Sequence, residues 1–178
     1  MPSSRHSRAI GNLAYLDWVR GDNEAAEPLY RESLEMQRLI LGEDHPEVAN
    51  AMHNLASALK KMGRLDEAEA SAREALAICR RLYDDDHQMV AALWFNIGTI
   101  LKDSGNFRDA EAPLREAYAI YRRNLPPDHP QTEHATANLA AVLRELGRNE
   151  EAAELEALTR TIHEVSQQGR RDPMNSQG

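Results

Sequence analysis

The stretch Leu41-Gly42-Glu43-Asp44-His45-Pro46-Glu47-Val48-Ala49-Asn50-Ala51-Met52-His53-Asn54-Leu55-Ala56-Ser57-Ala58-Leu59-Lys60-Lys61-Met62-Gly63 decides the fold. Asp44 reads as a helix N-cap, because its carboxylate can accept from the exposed N–H groups of a first turn. Pro46 sits just inside that start, where a missing N–H costs nothing. Asp44 and Glu47 have the spacing of a capping box. Val48, Met52, Leu55, Ala56, Leu59 and Met62 then recur at helical intervals. Gly63 follows as a helix stop. A second helix is predicted from about Leu65 to Tyr83, carrying Ala68, Ala72, Ala75, Leu76 and Cys79 inward. Small side chains there let two helices approach closely, so the unit is an αα-hairpin with a tight turn.

The same unit recurs along the chain. Asn12-Leu13-Ala14, Asn54-Leu55-Ala56, Asn96-Ile97-Gly98 and Asn138-Leu139-Ala140 are spaced 42 residues apart. Gly21, Gly63, Gly105 and Gly147 keep the step, as do Ala26, Ala68, Ala110 and Ala152. Asp44-His45, Asp86-His87 and Asp128-His129 keep it too. Several columns in one register without an insertion define a repeat. One hairpin cannot bury its own apolar face and a stack can, so the expected fold is all-α: a right-handed superhelical solenoid of antiparallel helix pairs. Four repeats are expected within 1–167, at about 1–42, 43–84, 85–126 and 127–167. Helix pairs fall near 5–19 and 24–40, 46–62 and 65–83, 88–103 and 107–124, and 130–146 and 150–167. Pro113, early in a second helix, predicts at most a local kink. The stretch 168–178 lacks periodicity and is expected to be a disordered tail.

Composition agrees with helix: 42% of residues are hydrophobic but only 5% aromatic, with Ala and Leu prominent. The net charge of −8 opposes nucleic acid and anionic membranes as general partners. Cys79 is the single cysteine, so an internal disulfide is excluded. The thiol reads as a small core residue. No apolar segment follows Met1-Pro2-Ser3-Ser4-Arg5-His6, and no run approaches the roughly 20 residues of a membrane span. These features lead to the expectation of a cytoplasmic protein.

The Asn-Leu-Ala helix, the Gly, Glu24-Ala25-Ala26-Glu27-Pro28-Leu29-Tyr30, and Leu41-Gly42-Glu43-Asp44-His45-Pro46-Glu47-Val48-Ala49 together resemble the tetratricopeptide repeats of kinesin light chains. The resemblance extends to about residue 167. It departs in the linkers, where Gln88 replaces Pro, and Asp84-Asp85 and Pro126-Pro127 replace Leu-Gly-type residues. The motifs are specific for the repeat class and not for a motor partner. The resemblance implies a non-catalytic protein-interaction scaffold whose first helices line a concave groove for peptide or protein cargo.

Residues four before and three and seven after the Asn column share its helical face, and neighbours flank it. The candidate groove residues are thus Arg8, Asn12, Tyr15 and Trp18 in the first repeat. The second contributes Asn50, His53, Asn54, Ser57, Lys60 and Lys61. Phe95, Asn96, Thr99 and Lys102 come from the third, and His134, Asn138 and Arg144 from the fourth. Arg8, Arg144 and all three lysines of the chain face only Asp103 and Glu145 as anions in this set, so the groove is basic on an acidic chain. Four Asn amides can each donate to and accept from a peptide backbone. Tyr15, Trp18 and Phe95 offer aromatic surface. This set fits a peptide with acidic residues and an apolar anchor. The other reading of the Asn column is a tie between adjacent helices, and of the lysines a helix-dipole partner. The carboxylate-clamp variety of these repeats is a poor match, since Gly11, Tyr15, Ala92 and Asn96 stand where it needs its Lys and Asn positions and its basic pair.

No catalytic chemistry, metal or cofactor is expected. His45, His87 and His129 lie a repeat apart, too far to share an ion with bonds of about 2 Å. A helix-start role is their ordinary reading. No His-Glu-x-x-His, phosphate loop, dinucleotide fingerprint or nucleophile elbow occurs. Two other functions compete with peptide binding. An oligomerisation module would self-associate through its end helices, with Leu155, Leu158, Ile162 and Val165 as a sticky face. The chain would otherwise be a regulatory fragment of a larger signalling protein, since no capping helix follows the repeats. RNA binding is the weakest reading, because it calls for a stronger basic surface.

Overall fold

The computed structural model describes residues 3–126 and 128–171. Eight helices are present among the described residues: α1 Ser4–Arg20, α2 Asn23–Leu41, α3 Pro46–Lys61, α4 Leu65–Leu82, α5 Gln88–Asp103, α6 Phe107–Asn124, α7 Pro130–Glu145 and α8 Asn149–Arg171. They form four antiparallel pairs, and the boundaries of the first seven agree with the periodicity to about one residue. α6 continues through Pro113, which is buried. The last helix runs to Arg171, past the expected end at 167, so residues 168–171 are helical and not the expected tail. Residues 172–178 lie outside the described residues.

The helix starts correct the capping assignment. The N-caps of α3, α5 and α7 are His45, His87 and His129, not the aspartates before them. Each His is extended, and its ring Nδ1 accepts from the N–H two residues on, at 3.1, 3.1 and 3.2 Å. With proline occupying N1 in α3 and α7, the N2 amide is the first orphan donor there, and an imidazole reaches it. The capping box between Asp44 and Glu47 is not formed. Asp44 instead binds Arg81, and Asp86 binds Arg123, each a cation from the second helix of the same repeat. The first hairpin ends as read: Gly21, Gly63, Gly105 and Gly147 all have φ between 75° and 86°, a left-handed turn that favours glycine.

Small residues set the helix spacing. Ala26, Ala68, Ala110 and Ala152, and Ala14, Ala56 and Ala140, are fully buried. Gly98 takes the place of that last column in α5. A Cβ there would lie 2.6 Å from Cγ of Leu114, so the α5–α6 crossing requires glycine. Beyond these pairs, α1 touches α3, α3 touches α5 and α5 touches α7, which puts the four first helices side by side along one face.

Ion clusters join the repeats on the second helices. Arg31 binds Glu27 at 2.6 Å and Glu67 at 3.1 Å, while Arg64 binds Glu67 at 2.6 Å and Glu27 at 3.0 Å. Glu111, Arg115, Arg148 and Glu151 repeat this square between the third and fourth repeats. Between the second and third, Arg73 binds Glu69 within its own helix, and Asn106 binds Asp109. Asn106 stands where the other squares have Arg64 and Arg148, so this junction lacks a crossing cation from that position.

Candidate binding groove

The row of first helices carries two depressions. One, of about 330 Å³, is lined by Trp18, His53, Ser57, Lys60, Lys61, Phe95, Asn96, Thr99 and His134 from the predicted set. Ala92, Tyr121 and Gln131 complete it. The other, of about 270 Å³, gathers Arg8, Asn12, Tyr15, Asn50 and Asn54 against Gln37, Glu47 and Tyr30. Both are near the lower end of the size of ordinary ligand pockets. Lys102, Asn138 and Arg144 lie outside both.

The cations are not equivalent. Arg8 lies 3.5 Å from Glu47, and Arg144 makes a bidentate pair with Glu156 at 2.9 and 2.7 Å. Lys102 donates to Oδ1 of Asn138 at 2.7 Å and is 3.7 Å from Asp103. Lys60 and Lys61 have no carboxylate within 4 Å among the described residues. Nζ of Lys61 sits 3.9 Å from the centroid of the Trp18 ring, a cation–π contact. Nζ of Lys60 donates to Thr99 Oγ1 at 2.9 Å. Burial lowers the Lys60 pKa, which Asp103 partly offsets and the other two lysines reinforce. Burial, with a smaller effect from Lys60, pushes His53 down to about 4. Positive charge on Lys60 is therefore poorly solvated, and a ligand anion would relieve it.

Polar groups in the same cavity await partners. Trp18 Nε1 and His53 Nδ1 are buried with no hydrogen-bond partner among the described residues. A buried donor without an acceptor costs the free energy of its lost hydration. Trp18 stacks on Tyr15 with ring centroids 5.7 Å apart, and Phe95 meets Tyr121 at 6.5 Å and 59°. The cavity thus offers two ammonium groups and apolar ring surface, with the Trp18 N–H buried behind them.

The four Asn amides differ. Asn12 is exposed and Asn54 partly buried, both in the smaller depression. Asn96 is buried and donates to Ser57 Oγ at 3.3 Å. Asn138 donates to the His134 carbonyl at 2.9 Å while accepting from Lys102. The last two thus tie helices together or hold their own turn. Tyr121 and Gln37 were missed because they belong to second helices. They occupy one column with Cys79, and a long side chain in that column reaches between the first helices, where Cys79 is short and buried. A large residue at a small-residue position was the available signal. Burial raises the Cys79 thiol to about 11, the behaviour of a core residue.

Helix pairs stacked at a fixed 42-residue step, with first helices forming a groove, define a helical-repeat interaction scaffold. Tetratricopeptide repeat models match residues 6–80 and 48–123, and another matches 95–163, so the chain belongs to the tetratricopeptide repeat family. Comparison with curated proteins gives no match. Among solved structures, BtubC (BKLC) from P. vanneervenii has a TM-score of 0.83 at 24% identity, over 91% of this chain and 65% of that one. The putative kinesin light chain of Podosopora anserina, with nearly identical TPR-like repeats, has a TM-score of 0.78 at 23% identity, over 92% and 77%. The Rap protein complexed with competence and sporulation factor has a TM-score of 0.76 at 17% identity, over 89% and 43%. These likenesses are ones of fold, and the chain spans about two thirds of BtubC and less than half of the Rap protein. No described helix is long and apolar enough to cross a membrane.

Proposed function

We propose that the chain is a non-catalytic scaffold that binds an acidic peptide segment of a partner protein in the groove of first helices. The observation that carries this reading is the Lys60–Lys61–Trp18 cavity, whose cations lack carboxylates and whose indole N–H lacks an acceptor. A ligand carboxylate would pair with the ammonium groups, and the rings of Phe95 and Tyr121 supply apolar surface for an adjacent side chain. Asn12, Asn50 and Asn54 in the smaller depression suit the peptide backbone. That a Rap protein of the same fold binds competence and sporulation factor supports ligand binding by such arrays. The test is capture from cell extract by the wild type and by Lys60→Glu/Lys61→Glu/Lys102→Glu, each first checked by circular dichroism. The proposal expects a partner lost in the variant, and equal capture by both opposes it.

A second reading, self-association through the ends, has its own observation. Leu13 and Leu16 on α1 are 48% and 50% exposed, although Leu55, Ile97 and Leu139, and Ala58, Ile100 and Val142, are buried at those columns. Leu158 and Val165 are exposed on α8. Light scattering over a range of concentrations decides: mass that rises with concentration and falls back in Leu13→Glu/Leu16→Glu supports this reading, and a constant monomer mass removes it.

A further inference from the structure

A small cavity of about 140 Å³ lies away from the groove, between α6, α7 and α8. Tyr118, Arg122, Thr132, Thr159 and Ile162 line it. The repeats themselves provide its control. The same five columns hold Leu34, Arg38, Val48, Ala75 and Ile78 between the first and second repeats. Between the second and third they hold Leu76, Arg80, Val90, Ala117 and Ile120. There the apolar members are buried, and Arg80 and Ile120 also border a separate depression with Trp94 and Pro113. At the third junction, three of the four apolar positions carry hydroxyls instead.

Those hydroxyls are costly unless they bind something. Thr132 is 4% exposed, and its Oγ1 has no hydrogen-bond partner among the described residues. Thr159 is held in place, donating to the Leu155 carbonyl at 3.0 Å and lying 3.1 Å from Thr136 Oγ1. The arginine column changes in the same place. Arg38 pairs with Glu43 and Glu74, and Arg80 with Asp85. For Arg122 the matching positions are Pro127 and Leu158, and no carboxylate lies within 4 Å of it among the described residues. One guanidinium has lost its anions at the mouth of the cavity whose walls have gained donors.

We propose that this cavity binds a small oxyanion, a carboxylate or a phosphate, with Arg122 supplying charge and the Thr132 and Tyr118 hydroxyls supplying hydrogen bonds. No carboxylate lines the cavity, and its volume admits several waters or a compact anion but no peptide. A guanidinium flanked by hydroxyl donors is the chemistry that recognises such a group.

The probes are inorganic phosphate and succinate, titrated separately at constant ionic strength, with the NMR signals of Tyr118, Thr132 and Thr159 as readout. The proposal expects saturable shifts with at least one of them. Phosphate alone identifies a phosphorylated ligand, succinate alone a carboxylic acid, and both a general oxyanion site. Thr132→Val installs the residue that the other junctions already pack, so it should fold. It and the surface change Arg122→Ala should each weaken binding at least tenfold, whereas Arg80→Ala and Lys60→Glu/Lys61→Glu should leave it unchanged. Absence of saturable shifts with both anions, or unaltered binding in both Thr132→Val and Arg122→Ala, would overturn the proposal.

Discussion

Single residues carry the helix starts, and they are not the residues that propensity alone selects. Aspartate is the stronger capping type, yet the imidazoles of His45, His87 and His129 hold the N2 amides, while Asp44 and Asp86 turn to arginines. Spacing located each helix start to a residue. It left open which of two adjacent side chains faces the amide, since that depends on the backbone angles of the linker. His45→Ala should therefore cost about 0.5–2 kcal/mol in urea denaturation. Asp44→Ala, which removes only an exposed ion pair, should cost less; a larger loss there would restore aspartate as the cap. His53 makes a second prediction. Burial holds its folded pKa at about 4, while the unfolded imidazole titrates near 6.5. Between those values the unfolded chain binds more protons, so the stability that His53 contributes is complete above about pH 6.5 and is lost as the pH falls toward 4. His53→Gln should flatten the stability profile in that window, and an unchanged profile would place the acid sensitivity elsewhere.

Helices and their crossings were largely legible from periodicity. Columns of alanine mark close contacts, and positive φ at four glycines marks the hairpin ends. Gly98 in place of alanine could be seen as a break in a column, but its reason, the Leu114 side chain pressed against the α5 backbone, lies in the other helix. Gly98→Ala should destabilise by about 1–3 kcal/mol through overpacking. Combined with Leu114→Ala, it should cost less than the two changes added together, measured as a double-mutant cycle. Strict additivity would mean that the close approach is not the cause. That Lys60, Lys61, Trp18 and Phe95 line one depression was legible on the first helices, because the Asn face and its flanks were sufficient to place them together. Tyr121 and Gln37 were not, because a residue behind the front row reaches the groove only through the gap between helices.

At the scale of the whole molecule, each repeat meets only its neighbours, and the junctions differ in their electrostatics. Squares of two glutamates and two arginines cross the first and third junctions, while Asn106 leaves the second without its cation. Asn106→Arg/Asp109→Glu should complete the square and raise the thermal midpoint by an amount that shrinks with added salt. A midpoint that stays unchanged at low salt would show that the squares do not hold the junctions. That second junction also runs beneath the larger groove cavity, where Lys60–Thr99 and Asn96–Ser57 cross it instead. Binding there is the central claim, and Trp18 emission reports on it. The decisive measurement is fluorescence titration with a short peptide of glutamates flanking one leucine, against a scrambled lysine-containing control. Saturable change with the acidic peptide, weakened at least tenfold in Lys60→Glu/Lys61→Glu and absent with the control, is the predicted result. Equal responses from wild type and variant, or none from the wild type, would contradict an acidic ligand in this groove.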